Sequence, residues 1–263
     1  MLSPFLFPLL KEIRKRFGDC PLDVLSNGTL ITPDIAKLLK ELNIEIQISF
    51  DGPDASRHDL IRGAGSFQKT LEGCQILKEN GVPFYHLAVL SQRTAQWISD
   101  FFKLPLQTGA RAMHFTRLVM EGYAKTLRAS GKDAPLEGLE LKRALQTILE
   151  CARTSNIPTS THGALWHLIE EGLGTPNNIG FSGFVINYKG EFKISSRVSM
   201  TLGNILEEGM ENLFLKHPVM KRLRSDNIEI CGKCVHLTNV VETEISVLSI
   251  MGIFSDRIQG VGF

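Results

Sequence analysis

Two stretches decide the fold: residues 22–30, Leu-Asp-Val-Leu-Ser-Asn-Gly-Thr-Leu, and residues 46–53, Ile-Gln-Ile-Ser-Phe-Asp-Gly-Pro. Each is a short apolar run that breaks into a small polar turn containing glycine, a pattern typical of a strand followed by a loop. In α/β proteins, binding sites lie at the carboxyl ends of such strands. These two turns are therefore the first candidates for a site.

The spacing of apolar residues predicts that strands and helices alternate along residues 9–119. Thr32 precedes Pro33 and Asp34, the pattern of a helix N-terminus with proline in its first turn. The expected strands cover residues 22–25, 44–50, 83–90 and 112–119, and the expected helices cover residues 9–17, 33–42, 67–80 and 95–104. Four such units imply an α/β fold with parallel strands and right-handed crossovers, in an open sheet or a barrel.

The regular alternation weakens after Gly122. Residues 128–135 form a polar connection, and residues 137–155 have the apolar spacing of a long amphipathic helix. Residues 184–194 have the pattern of a β-hairpin that turns at Lys189 and Gly190. We also expect a helix at residues 163–171, a loop at residues 172–182 and a helix at residues 210–223.

The turn motifs occur in an order that resembles one enzyme family. They are Asn-Gly-Thr at residues 27–29, Ile-Ser-Phe-Asp-Gly-Pro at 48–53, His-Asp at 58–59 and Arg-Gly at 62–63. Together they resemble the middle of radical S-adenosylmethionine (radical SAM) enzymes with a SPASM domain, which binds an auxiliary 4Fe-4S cluster. The resemblance implies an α/β fold: a partial parallel (β/α)6 barrel that lacks its first two strands, followed by a small SPASM-like hairpin and helix appendage.

The later part of the chain resembles the SPASM appendage of that family. The predicted hairpin is followed by Leu-Gly-Asn-Ile at residues 202–205 and by Cys-Gly-Lys-Cys at residues 231–234. Residues 193–196, Lys-Ile-Ser-Ser, resemble a subgroup that has a Pro-Ser pair there and is related to the haem-biosynthesis branch. The proline of that pair is absent from this chain.

The resemblance divides the chain into four parts. Residues 1–125 match barrel strands three to six, residues 126–182 form linking helices and a loop, and residues 183–237 form a partial SPASM-like domain. Residues 238–263 contain none of the cysteines that the family has there. If this tail is back-translated and read in another frame, the possible codons can encode both of the cysteine-containing segments that the family has there. We therefore expect an N-terminally truncated chain with a frameshift near Leu237 and an out-of-frame tail.

The family cleaves S-adenosylmethionine (AdoMet) reductively with a 4Fe-4S cluster and abstracts hydrogen from a substrate. Three thiolates in the spacing Cys-x3-Cys-x2-Cys hold that cluster. This chain has no such motif, because Cys20, Cys74 and Cys151 are isolated. We expect a fragment of an oxidoreductase-type radical SAM enzyme that is inactive alone. The alternatives are a non-catalytic pseudoenzyme, a partner subunit of a split enzyme, or a pseudogene product.

Four residues are the predicted cofactor contacts. In the resembled family the positions that match Ser49 and Asp51 lie near the ribose of AdoMet, and the alternative is an ordinary turn that satisfies strand-end amides. Asn27 is either a turn former or a ligand. Arg62 either binds a carboxylate or pairs with Asp59.

The pair Cys231 and Cys234 is the predicted metal site. It fits three roles: ligands of an auxiliary cluster, half of a zinc site, or a labile disulfide. Because its partner cysteines are absent, we favour a vestigial cluster half-site. Among the histidines, only His162 and His167 approach the spacing of metal ligands, and that pair fits a surface or packing role better.

The bulk composition restricts partners and location. The net charge of +1 gives no electrostatic footprint for nucleic acid or an anionic membrane. The five cysteines are an odd, mostly scattered set, which favours a reducing compartment, with the cytoplasm as the default. The resemblance implies a small-molecule or peptide substrate and a reductant protein such as flavodoxin or ferredoxin.

Overall fold

The structure is a computed structural model, and it describes residues 3–161, 166, 169–170, 183–196, 198 and 200–224. The chain divides into two compact units between Thr161 and His162. In the first unit, five parallel strands lie side by side in chain order: β1 Asp23–Ser26, β2 Glu45–Ser49, β3 Phe84–Leu90, β4 Met113–Arg117 and β5 Thr159–Ser160. This parallel sheet confirms the α/β fold.

Eight α-helices lie in the described part of the first unit, together with a short 3-10 helix, Thr94–Trp97. They are α1 Leu6–Phe17, α2 Pro33–Glu41, α3 Ala55–Arg62, α4 Ser66–Glu79, α5 Ile98–Phe101, α6 Lys103–Thr108, α7 Tyr123–Ala129 and α8 Gly138–Ser155. No helix within the described ranges is both long enough and apolar enough to cross a membrane.

Local sequence determines where the helices near the site begin. The Thr32 hydroxyl accepts a hydrogen bond from the Ile35 amide at the start of α2, as its position before Pro33 predicts. At the start of α3, a carboxylate oxygen of Asp54 accepts a hydrogen bond from the Arg57 amide, at 3.0 Å. Both side chains satisfy amides that have no partner within the first turn of a helix.

The structure corrects the expected order of elements in three places. The series of strands does not close at residue 119, because β5 adds a fifth parallel strand after α8. The helix expected over residues 95–104 is divided into the 3-10 helix, α5 and α6. Pro105 explains the break before α6, since a proline ring clashes with the carbonyl group four residues earlier, here that of Phe101. Helices α3 and α7 were not expected.

The two faces of the sheet differ in burial. On β3, the side chains of Phe84, His86, Ala88 and Leu90 are buried, whereas those of Tyr85, Leu87 and Val89 between them are half-buried. Ile46 and Ile48 of β2 lie on the buried face and are fully inaccessible. The other face, here called the open face, carries the alternate residues of each strand. Leu25 of β1, in register with Gln47, is 68% exposed there.

The described part of the second unit is a small antiparallel sheet with short helices. Its strands are β6 Val185–Ile186, β7 Glu191–Lys193 and β8 Gly203–Asn204, followed by α9 Ile205–Glu208, a π-helix Asn212–Lys216 and α10 Pro218–Leu223. The expected hairpin is therefore confirmed, with Asn187 accepting hydrogen bonds from the amides of Lys189 and Glu191. The expected helix over residues 210–223 is interrupted, because Pro218 starts a new helix.

His86 is a fully buried histidine within the core of the first unit. Its Nε2 atom lies 2.7 Å from the hydroxyl oxygen of Thr108, and that hydroxyl donates to the Leu104 carbonyl group. Burial lowers the pKa of His86 to about 3. The ring is therefore neutral in the folded protein, and its protonation accompanies unfolding.

We expect acid to destabilise the first unit through His86. The stability contribution is complete above the unfolded pKa of 6.5 and is lost as the pH falls toward the folded pKa of about 3. Between pH 8 and pH 5, the free energy of unfolding should fall by about 2 kcal/mol more in the natural chain than in His86→Gln, whose amide does not titrate. Urea unfolding at both pH values measures this, and equal losses in the two proteins would contradict it.

Candidate functional site

The loops after β1 and β2 leave the same edge of the sheet, because parallel neighbours end on the same side. The first loop turns at Asn27, whose side-chain oxygen accepts hydrogen bonds from the amide and the hydroxyl of Thr29, at 3.2 and 3.0 Å. Gly28 has a left-handed backbone, with φ of +78°. Asn27 therefore does form a turn, one of the two roles expected for it.

Helix α4 lies directly against this turn. The Thr70 hydroxyl lies 2.9 Å from the Asn27 carbonyl oxygen. A Cβ atom placed on Gly73 would lie only 2.2 Å from the carbonyl oxygen of Gly28. Glycine is required at position 73 because the backbone of the turn occupies the space of a side chain.

The second loop places Asp51 against helix α3. The Asp51 carboxylate pairs with the Arg62 guanidinium, and the exposed fractions of these side chains are 16% and 30%. The Asp51 amide donates a hydrogen bond to Nδ1 of His58, at 3.2 Å. Of the two alternatives for Arg62, the pairing with Asp59 is wrong, because the carboxylate that pairs with Arg62 is that of Asp51.

Asp59 is instead the cap of helix α4. Its carboxylate accepts hydrogen bonds from the amides of Gly65 and Phe67, at 2.6 and 2.8 Å, and from the Ser66 hydroxyl at 3.0 Å. These bonds, led by the one from the Phe67 amide, lower the pKa of Asp59. A charged Asp59 thus joins the end of α3 to the start of α4 and fixes the angle between them.

His58 is the residue at this edge whose role the sequence did not predict. It is fully buried and lies edge-on to Phe50 and Phe67, with ring centroids 5.5 and 5.6 Å apart. Burial, and then the nearby charge of Arg62, lower its pKa. One signal was present in the sequence: His58 precedes Arg62 by four residues, which places both on one face of a helix.

A cavity of about 530 Å³ opens between the Asn27 turn and the joint of α3 and α4. Asn27 and Arg62, which are 35 positions apart in the sequence, both line it. Other lining residues are Thr29, His58, Ser66, Lys69 and Thr70. Among the described residues that line this cavity, two are cationic and none carries a carboxylate. The cavity therefore suits a polar ligand with an anionic group.

Ser49 and Asp51 do not line this cavity with Asn27 and Arg62. Ser49 ends β2, is half-buried, and shares its row of the sheet with Leu87, His114 and Ser160. It therefore lies on the open face, one position before the loop that carries Asp51. The four predicted contacts lie along one edge of the sheet, and the Asp51–Arg62 ion pair connects the open-face side to the cavity.

Below Ser49, the open face carries several polar side chains beside Leu25. The rings of Tyr85 and His114 are 4.3 Å apart, and the Tyr85 hydroxyl lies 3.4 Å from the side-chain oxygen of Gln47. Glu45 pairs with Arg111 at the amino ends of the strands. Burial is the main cause of the raised pKa of Glu45 and of the lowered pKa of His114.

The cysteines of the described residues do not form a cluster site. Cys20, Cys74 and Cys151 are separate free thiols, and no group of three metal-binding side chains occurs in the parts of the chain that the structure describes. Burial raises the pKa of Cys74 to about 12, so its thiol is not a ready metal ligand. Cys231, Cys234, His162 and His167 lie outside the described residues.

Residues 2–104 match the family model described as the radical SAM superfamily. This match contains the Asn27 turn and the whole Asp51–Arg62 segment. This part of the chain is similar to the radical SAM superfamily. The similarity agrees with the order of the turn motifs and with the parallel sheet.

The curated relatives of this chain include two AdoMet-dependent heme synthases. The protein of Nitratidesulfovibrio vulgaris is 28% identical, with 79% of this chain and 61% of that protein covered. For Methanosarcina barkeri the identity is also 28%, with coverage of 88% and 71%. Mycofactocin maturase MftC of Mycolicibacterium smegmatis is 27% identical, with 80% and 55% covered. The chain thus spans about six tenths of the length of the first of these relatives.

Solved structures share the fold. anSMEcpe with bound AdoMet and a Cp18Cys peptide has a TM-score of 0.68 and 20% identity, with 90% of this chain and 70% of that chain covered. SuiB of Streptococcus suis bound to S-adenosylmethionine has a TM-score of 0.66 and 14% identity, with 89% and 56% covered. At these identities the likeness establishes the fold alone.

We expect Gly73→Ala to destabilise the protein. Alanine is favoured over glycine within a helix by about 1 kcal/mol, but the added methyl group would collide with the Gly28 carbonyl oxygen, and overpacking costs about 1–3 kcal/mol. Urea unfolding should show a net loss of about 1 kcal/mol, the middle of a range of about 0–2 kcal/mol that remains when the helix gain is subtracted from the overpacking cost. The control is Gln75→Ala, an exposed position on the same helix. A Gly73→Ala protein as stable as the natural chain would show that the turn and α4 can separate freely.

Proposed function

We propose that this chain forms the AdoMet-binding part of a radical SAM enzyme with a SPASM-like C-terminal region. The observation that carries the proposal is the meeting of Asn27 and Arg62 in one cavity at the carboxyl edge of the sheet, with Asp51 paired to Arg62. The similarity to AdoMet-dependent heme synthases and to MftC supports a place near those branches of the superfamily.

The residues at this edge fit AdoMet, a zwitterion with a ribose and a purine. Arg62 and Lys69 would attract its carboxylate, and the Asn27 side chain would accept or donate a hydrogen bond in the same cavity. Ser49 and Asp51, at the end of β2, would contact ribose hydroxyls, for which a hydroxyl and a carboxylate are suitable partners. The polar side chains of Gln47, Tyr85 and His114 would then face the substrate from the open face.

The described residues do not fit the 4Fe-4S cluster that the superfamily uses, because they bring no three thiolates together. When bound, that cluster supplies the electron that cleaves AdoMet. Thiolates outside the described residues would be needed to hold it. We propose that Cys231 and Cys234 are half of an auxiliary cluster site, and that hydrogen abstraction belongs to the enzyme as a whole.

A second candidate is a protein that binds AdoMet without redox chemistry, either a pseudoenzyme or one subunit of a split enzyme. The separation of Cys20, Cys74 and Cys151 favours it, since AdoMet binding at the edge does not depend on them. In either case we propose a cytoplasmic location, a small-molecule or peptide substrate, and, for the redox enzyme, a reductant such as flavodoxin or ferredoxin.

The proposal predicts that AdoMet binds to the chain through Arg62. In Arg62→Gln, the loss of a charge-assisted contact should weaken AdoMet binding by about tenfold or more, because hydrogen bonds to charged groups contribute about 1.5–3 kcal/mol. Isothermal titration calorimetry measures both affinities. The matched control is Arg16→Gln, which removes an exposed arginine whose ion pair lies within α1. Equal affinities of Arg62→Gln and the natural chain would exclude this site.

Anaerobic reconstitution with iron and sulfide separates the two candidates. We expect fewer than four irons per chain and no change in visible absorption on addition of AdoMet. The reason is that the described residues bring no three cysteine thiolates together. Any iron that does bind should be lost in the double variant Cys231→Ser, Cys234→Ser and retained in the control Cys20→Ser, Cys151→Ser. A full 4Fe-4S cluster that AdoMet perturbs in the natural chain would favour the redox enzyme, and at least one of Cys20, Cys74 and Cys151 would then have to be a ligand beside Cys231 and Cys234.

A further inference from the structure

We propose that helix α3 clamps Asp51 at two points and that His58 is a positioning residue for the AdoMet-binding edge. His58 holds the backbone of Asp51 through its amide, and Arg62, one turn further along α3, holds the Asp51 carboxylate. Because the purpose of the clamp is to orient Asp51 toward a ligand, the inference rests on the AdoMet site proposed above.

The backbone between β2 and α3 is packed tightly enough to make the clamp specific. A Cβ atom on Gly52 would lie 2.3 Å from the backbone nitrogen of His58. Gly52 therefore lets the strand-end turn rest on the first turn of α3. His58 and Arg62 are four positions apart, so both side chains reach this turn from one face of the helix.

The hydrogen bond from Asp51 determines the proton positions on the His58 ring. Nδ1 accepts from the Asp51 amide, so it carries no proton, and the proton of the neutral ring resides on Nε2. Nε2 is buried and has no hydrogen-bond partner among the described residues. Protonation of Nδ1 would place an N–H group opposite the Asp51 N–H group, and the contact would be lost.

The surroundings of His58 oppose that protonation. Phe50 of the β2 loop and Phe67 of α4 pack edge-on against the ring and keep water away. The charged groups around it are Arg62, which disfavours a positive ring, and Asp51 and Asp59, which favour one. Burial is the largest of these influences and holds the pKa of His58 below 6.5. The clamp is therefore closed at neutral pH and opens as the pH falls through the folded pKa of His58.

Nitrogen-15 NMR of histidine-labelled protein tests the clamp without any ligand. We expect the His58 ring to be neutral at pH 7.5 with its proton on Nε2, and to titrate below 6.5. A proton on Nδ1, or a pKa at or above 6.5, would overturn the clamp. His58→Asn assigns the resonance, and the amide oxygen of asparagine provides an acceptor at the position of Nδ1.

Calorimetry of AdoMet binding tests the positioning role. At pH 7.5 we expect His58→Asn to bind within about threefold of the natural chain and His58→Leu, which has no acceptor, to bind about tenfold more weakly or worse. The affinity of the natural chain divided by that of His58→Asn should decrease as the pH is lowered, and the midpoint of this decrease should equal the pKa of His58 that NMR measures. Titration of AdoMet itself affects both proteins equally and cancels in this ratio. The control is His86→Gln, which replaces a different buried histidine. Its AdoMet affinity should depend on pH as that of the natural chain does.

The outcomes separate the clamp from the proposed function. Failure of the natural chain to bind AdoMet at any pH would overturn the proposed function and the positioning role with it, and NMR alone would then decide the clamp. Normal AdoMet binding with equal affinities for His58→Asn and His58→Leu would overturn the positioning role and leave the proposed function intact. If His58→Leu does not fold, as shown by circular dichroism, His58→Asn and its pH dependence decide the matter.

Discussion

The helices of the first unit bury one face of the five-stranded sheet and leave the other half-buried. Successive side chains of a strand point to opposite faces, so a shift of β2 by one residue would expose Ile46 and Ile48 and bury Glu45 and Ser49. This cost fixes the register of β2 against its neighbours. The loops after β1 and β2 consequently emerge at set positions on one edge, which is the precondition for Asn27 and Asp51 to serve the same ligand.

The edge is completed by contacts between side chains and backbone groups rather than by further strands. Asp59 joins α3 to α4, Thr70 joins α4 to the Asn27 turn, and His58 with Arg62 joins α3 to Asp51. All of these contacts lie within residues 27–70 of the first unit. The polar groups at this edge are therefore ordered before a ligand binds. This order reduces the conformational entropy that would be lost on binding.

Much of this architecture was predictable from residues 22–119. The N-cap at Thr32 and the alternation of apolar runs predicted the longer strands and most helices. The ordered turns indicated a similarity to radical SAM enzymes, which the family model matches over residues 2–104. Among the features that escaped prediction, three have a clear physical reason. β5 is only two residues long and has no apolar pattern, Arg62 had two carboxylates within reach, and the role of His58 depends on which ring nitrogen faces an amide. Three-dimensional packing determines these pairings, and they cannot be read from the order of residues along the chain.

The contact between Gly28 and Gly73 has a mechanical consequence. Because the carbonyl oxygen of Gly28 occupies the place of a side chain on α4, the turn and the helix cannot slide past each other without a collision. Any displacement of Asn27 on ligand binding must therefore carry α4 with it as a rigid body. Asp59 links the start of α4 to α3, so a movement of α4 would also move the joint between the two helices. A displacement of the Asn27 turn at one end of the cavity would thus change the position of the α3–α4 joint at the other end.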